Sequence, residues 1–172
     1  MLHIHIKEAY RYFANAKETL SKSSIQYNRF TDAKFVSEAA GIGYLAALKA
    51  INAYLISIGV SESKLPESVE QYRDYILKKV PHNGKLMSAF NTVYENLHLF
   101  AYYKGGTGVK MVKEGFENCK KIIDMMAGSV KKSTGYFDLS DDTGKNLINE
   151  PSVRYKTKRS KRNPVLRYRK NA

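Results

Sequence analysis

The chain has 172 residues, of which 29 are Lys or Arg and 16 are Asp or Glu, and its formal net charge is +13. The hydrophobic share of 43% is enough for a packed core, and it excludes disorder of the whole chain. The single cysteine, Cys119, excludes an internal disulfide framework and a cysteine-rich zinc module.

Residues 1–128 predict an all-α fold, an up-and-down antiparallel bundle of about five helices. Apolar residues recur with helical spacing in five segments, which polar, Gly-containing or Pro-containing stretches separate. The predicted helices span about 6–20, 31–58, 66–79, 85–103 and 109–126. No segment shows the alternation that is typical of a strand.

The second predicted helix contains the most apolar window of the chain, Ile42 to Val60. This window is about as long as a membrane span, but it contains Lys49 and Asn52 and is rich in Ala and Gly. We therefore predict the buried central helix of the bundle and no membrane association. The N-terminus has no apolar stretch long enough for a signal peptide, which predicts a cytoplasmic protein.

The fourth predicted helix carries a candidate polar groove. Tyr94, His98 and Tyr102 are spaced four residues apart and should share one helix face. His98 could act there as an acid or base near neutral pH, or the three rings could form a structural packing stripe. The packing interpretation is favoured, and no catalytic residue is assigned.

Three further motifs have structural interpretations that are favoured over chemical ones. The loop Lys104–Gly108 precedes a helix and could bind phosphate, but it is not a Walker loop and follows no strand. His3 and His5 supply at most two metal ligands. Cys119 falls on an apolar stripe and is predicted to be a core residue. We expect no metal and no cofactor.

The C-terminal part of the chain has a different composition. Residues 129–150 predict a polar linker with one candidate anchor at Tyr136–Leu139, and 151–172 a basic tail. Residues 1–150 hold 20 basic and 16 acidic side chains, whereas the tail has nine cations and no acid. The candidate nucleic-acid-binding residues are Arg154, Tyr155, Lys156, Lys158, Arg159, Lys161, Arg162, Arg167, Tyr168, Arg169 and Lys170.

Phosphate neutralisation by these cations and base stacking on the tyrosines favour RNA or a ribonucleoprotein particle as the partner. An acidic protein partner and an inert tail remain alternatives. A membrane surface is disfavoured, because the tail has no amphipathic helical pattern and Asn163-Pro164 interrupts it.

Several stretches together resemble a bacterial, Bacteroidetes-type family of uncharacterised helical proteins with a HEPN-like fold. The resemblance covers about residues 6–127 and excludes the tail. Three stretches carry it: Glu8–Leu20, then Asp32–Val36 through Ala53–Leu55, then Tyr94–Tyr103, which leads into Val112–Phe116.

This resemblance implies a small helical bundle. Many HEPN proteins are metal-independent ribonucleases that use an Arg and a His separated by four to six residues, and no Arg here has a His at that distance. We therefore expect a non-catalytic bundle that binds RNA or a ribonucleoprotein through its basic tail. The alternatives are a divergent HEPN-type nuclease or toxin–antitoxin component, and a protein–protein interaction module; a homodimer is left open.

Overall fold

The computed structural model of this protein describes residues 2–134, with side chains for residues 5–130. Within this part the chain forms five helices and one very short hairpin, which confirms the all-α prediction. The helices are α1 Leu2–Ser21, α2 Ala33–Ser57, α3 Val69–Lys79, α4 Gly84–Val93 with its direct continuation Tyr94–Tyr103, and α5 Val109–Thr134. The hairpin strands are β1 Ile25–Gln26 and β2 Arg29–Phe30, and a 3-10 turn spans Glu62–Lys64.

Helix α2 lies at the centre of the bundle and packs against α1, α5 and the segment Tyr94–Tyr103. Asp32 caps its start, because the Asp32 carboxylate accepts a hydrogen bond from the Lys34 N–H at 2.9 Å. Alanines fill most of its buried positions, so neighbouring helices can approach closely. Among the described residues, α2 is the one helix long and apolar enough to cross a membrane, and just over half of its most apolar window is buried in the bundle.

The second half of the fourth helix is a π-helix. The chain continues from α4 without a break, but from Tyr94 to Tyr103 it adopts the wider winding in which an N–H bonds a carbonyl five residues earlier. The Lys104 N–H ends this segment by donating to the Leu99 carbonyl at 3.0 Å. The sequence predicted one uniform helix over 85–103, because apolar spacing does not separate the two windings.

The π-helical segment fits into the bundle because two glycines leave space for Leu97. A β-carbon on Gly115 of α5 would lie 2.6 Å from Leu97 Cδ2, and one on Gly43 of α2 would lie 3.2 Å from Leu97 Cδ1. Leu97 is fully buried between them. Gly115 is therefore required for the close approach of α5 to the π-helical segment, and a β-carbon on Gly43 would crowd Leu97 and Phe116.

The segment between α1 and α2, predicted to be a polar connection, contains the hairpin. Ile25 pairs with Phe30, and Gln26 with Arg29. The turn residues Tyr27 and Asn28 both have positive φ, as in a type I′ turn. Strands of two residues are too short for alternation to reveal, so sequence patterns did not predict them.

The remaining differences from the predicted helices lie at their ends. Helix α3 begins at Val69 instead of Pro66, because the Ser68 hydroxyl caps it by accepting from the Gln71 N–H at 3.2 Å. Helix α5 continues beyond Met126 to Thr134, and Val130 is only 2% exposed. The predicted domain boundary at residue 128 stays a prediction.

Gly115→Ala should lower the free energy of unfolding by about 1–3 kcal/mol, because the new methyl group collides with Leu97. Gly128→Ala is the matched control in the same helix, since a β-carbon there meets no atom within 4 Å. We expect it to stabilise the protein by about 0.5 kcal/mol through helix propensity. Urea unfolding followed by circular dichroism measures the free energy of unfolding of both variants. Equal changes in Gly115→Ala and Gly128→Ala would show that the packing of Leu97 does not depend on a glycine at position 115.

A chain ending at Thr134 should unfold cooperatively without the tail. A chain ending at Gly128 should also fold, but its free energy of unfolding should be lower by about 1.5 kcal/mol or more, because it lacks the buried Val130 side chain. Urea titrations of both truncated chains check this. A molten or insoluble chain ending at Thr134 would mean that the tail is part of the core.

Candidate functional site

Tyr94, His98 and Tyr102 form a column of aromatic rings along the π-helical segment. The ring centroids of Tyr94 and His98 are 5.4 Å apart, and those of His98 and Tyr102 are 5.9 Å apart. The planes of both pairs are inclined by 23°. The four-residue spacing thus brings the three predicted groove residues together.

Helix α2 contributes a fourth ring to this column and a backbone surface on which one of its rings packs. The Tyr44 ring lies 4.6 Å from the His98 ring and 6.2 Å from the Tyr94 ring. A β-carbon on Gly41 would lie 3.0 Å from Cδ2 of Tyr102, so that ring rests directly on the α2 backbone. Sequence reasoning missed Tyr44 and Gly41 as partners of the column, because the pairing depends on how the two helices cross.

Burial raises the pKa of the Tyr44 phenol to about 12, and its neighbours Tyr72 and Tyr94 act in the same direction. The phenol therefore stays protonated at neutral pH and does not act as a base. His98 and Tyr94 are half-buried, while Tyr102 is 52% exposed. Mutual ring packing with one accessible end agrees with the structural interpretation of this face.

Arg73 of α3 closes the other end of the column. Its guanidinium lies 5.4 Å from the centroid of the Tyr94 ring, and its Nε donates a hydrogen bond to Asn91 Oδ1 at 3.0 Å. This cation–π contact ties α3 to the fourth helix. No sequence pattern pointed to Arg73, which is 21 positions from Tyr94 and on another helix.

The Gly-rich loop Lys104–Gly108 is docked on the hairpin. The Phe30 N–H donates to the Thr107 carbonyl at 2.9 Å, and the Val109 N–H donates to the Asn28 carbonyl at 3.1 Å. A donor at the start of α5 is thus already used within the protein, which favours the structural interpretation of this loop over phosphate binding.

Cys119 is a core residue. It is fully buried, and its thiol donates to the Gly43 carbonyl at 3.1 Å. Burial raises the pKa of the Cys119 thiol well above its usual range. A protonated, inaccessible thiol is not a nucleophile.

The predicted histidine pair contributes one described side chain, that of His5. Its Nε2 lies 3.8 Å from a carboxylate oxygen of Glu62. Both residues line an open groove of about 310 Å³, together with Glu8 and Lys49. Among the described residues, no group of three or more His, Cys, Asp or Glu side chains has metal-binding geometry.

The cations of the basic tail, with Tyr155 and Tyr168, lie outside the described residues, as do the anchor Tyr136–Leu139 and the rest of the linker from residue 135 onwards. Their role as a nucleic-acid interface stays a prediction.

Comparisons with known proteins identify relatives whose roles are not established. A family model described as a domain of unknown function, DUF5618, matches residues 4–128. A solved structure described as a protein of unknown function from Dyadobacter fermentans is 29% identical, with a TM-score of 0.63. That match covers 73% of this chain and 96% of the other. No curated protein matches. The prediction of an uncharacterised helical family is confirmed, and the HEPN-like fold stays a prediction.

His98→Ala should lower the free energy of unfolding by about 1–3 kcal/mol, because it removes the ring that three tyrosines contact. His98→Phe should lower the free energy of unfolding by less, because it keeps a ring in the column. Tyr103→Ala is the control: this ring is 78% exposed, and its loss should change stability by at most about 0.5 kcal/mol. Chemical denaturation of the three variants provides the measurement.

Equal costs for His98→Ala and Tyr103→Ala would contradict the packing role. A nuclease activity that disappears in His98→Phe, with the fold intact, would overturn the non-catalytic interpretation.

Proposed function

The chain belongs to the DUF5618 family, and we propose that it is a non-catalytic helical-bundle protein that binds RNA or a ribonucleoprotein particle through its basic tail. One observation carries this proposal: residues 151–172 contain nine cationic side chains and no acid, whereas residues 1–150 exceed neutrality by only four charges. A tail with this composition attracts polyanions.

The order of residues in the tail favours RNA among the polyanions. Tyr155 and Tyr168 stand between cations, so rings that stack on bases alternate with charges that neutralise phosphates. A protein partner with acidic patches would use the charges but would not need the rings. The absence of the HEPN Arg–His spacing supports binding without cleavage.

The salt dependence of binding tests the role of charge. If roughly six cations contact phosphates, log K for single-stranded RNA should fall with log salt at a slope of about −4, from about −0.7 per contact. Changing Arg159, Lys161 and Arg162 together to Ser should weaken binding and make the slope shallower by about two units. Fluorescence anisotropy with a labelled oligouridylate, at a series of salt concentrations, measures both quantities.

The matched control removes three exposed cations from the bundle instead, Lys17, Lys79 and Lys121. It should leave the slope nearly unchanged. Tyr155→Ala with Tyr168→Ala should lower affinity without changing the slope, because stacking releases few counterions. A chain ending at Thr134 that binds as tightly as the full chain, with the same slope, would contradict the proposal.

A further inference from the structure

One end of the bundle presents exposed tyrosines among cations. Tyr27, in the turn of the hairpin, is 98% exposed, and Tyr103, the last residue of the π-helical segment, is 78% exposed. We call this surface the hairpin end, and it comprises Tyr27, Arg29, Lys34, Tyr103, Lys104 and Lys110.

Backbone pairing and one side-chain hydrogen bond bring the elements of the hairpin end together. Arg29 pairs with Gly108 as an isolated bridge, so the hairpin lies against the loop that begins at Lys104. The Ser37 hydroxyl donates to the Ala101 carbonyl at 3.0 Å, which places the first turns of α2 beside the end of the π-helical segment. Residues far apart in sequence therefore share one surface.

The segments that build the hairpin end carry a positive net charge. Segments 22–34 and 102–113 contain six Lys or Arg residues and one acid, Asp32, which caps α2. Lys34 is also paired with Glu38, one turn further along α2, at 4.0 Å. A polyanion is attracted to a surface with this excess of cations.

Packing within the bundle does not explain why the turn holds a tyrosine at position 27. Its φ of 47° lies in the left-handed region, where Asn, Asp and Gly are favoured and a bulky side chain costs conformational energy. At 98% exposure the ring gains almost no packing in return. An aromatic ring held in this way points to a contact with another molecule.

We propose that the hairpin end is a contact site for single-stranded RNA, in which bases stack on Tyr27 and Tyr103 while the surrounding cations bind phosphates. This inference rests on the proposed function, and it adds a substrate class. Side chains stack on bases that are unpaired, so the site selects single strands over duplexes. The hairpin end thus adds base and phosphate contacts on the folded bundle to those proposed for the tail.

The test uses the full chain with two substitutions, Tyr27→Asn and Tyr103→Ser. Asn suits the left-handed backbone, so the hairpin should remain folded, and thermal unfolding verifies this. Removing a stacking ring lowers affinity by about five-fold to a hundred-fold. We therefore expect the affinity for labelled oligouridylate to fall by about ten-fold or more. The salt slope and the affinity for heparin, a polyanion without bases, should not change.

One control variant and one charge variant complete this test. Leu77→Ser with Lys64→Ser removes an exposed apolar side chain and a cation at other positions, and it should leave RNA affinity unchanged. Lys104→Ser with Lys110→Ser should make the salt slope shallower by about one to one and a half units, through two lost phosphate contacts.

The outcomes separate this proposal from the proposed function. If the tyrosine variant binds RNA like the unaltered chain while the Arg159, Lys161 and Arg162 variant binds more weakly, the hairpin end is not a contact site and the tail assignment stands. If the tyrosine variant loses heparin and RNA affinity equally, the surface binds polyanions such as acidic proteins, and base stacking is wrong. If the full chain binds no RNA, both proposals are overturned.

Discussion

The insertion of Leu97 between two glycines is the constraint on which the bundle depends. A π-helix is wider than an α-helix, so the segment Tyr94–Tyr103 can pack against α2 and α5 only where their side chains leave space. Gly43 and Gly115 leave it, and Leu97 fills it. The aromatic column lies along this segment, and the end of the segment lies beside the first turns of α2.

The chemistry of the surface follows from this placement. Where the π-helical segment ends, the Gly-rich loop turns back and pairs with the hairpin; backbone hydrogen bonds hold the two together, and Phe30 of the hairpin is buried in the core. Tyr27 and Tyr103 are therefore displayed on a fixed scaffold. We infer that RNA is bound at two surfaces, the tail and the hairpin end, and that each combines phosphate contacts, which salt weakens, with base stacking, which salt affects little.

Helix existence and type could be predicted from the sequence, because apolar spacing, the Asp32 cap and glycine breaks all act locally. The winding of the fourth helix could not, since apolar spacing along one helix does not show it, and neither does the packing of Leu97 against Gly43 and Gly115 of other helices. The Tyr94, His98 and Tyr102 column was predicted from spacing along one helix. Tyr44, Arg73 and Tyr27 were missed, because their roles arise from helix crossing and from a hairpin too short for periodicity to reveal. The HEPN-like fold and the cytoplasmic location stay predictions.

Photocrosslinking tests RNA binding by this protein most directly. The full chain is irradiated with a single-stranded RNA that carries 4-thiouridine, and mass spectrometry identifies the crosslinked residues. We predict adducts at Tyr155 or Tyr168 in the tail and at Tyr27 or Tyr103 in the hairpin end. Adducts confined to α3, for example at Tyr75, with none in the tail or the hairpin end, would contradict RNA binding by these two surfaces.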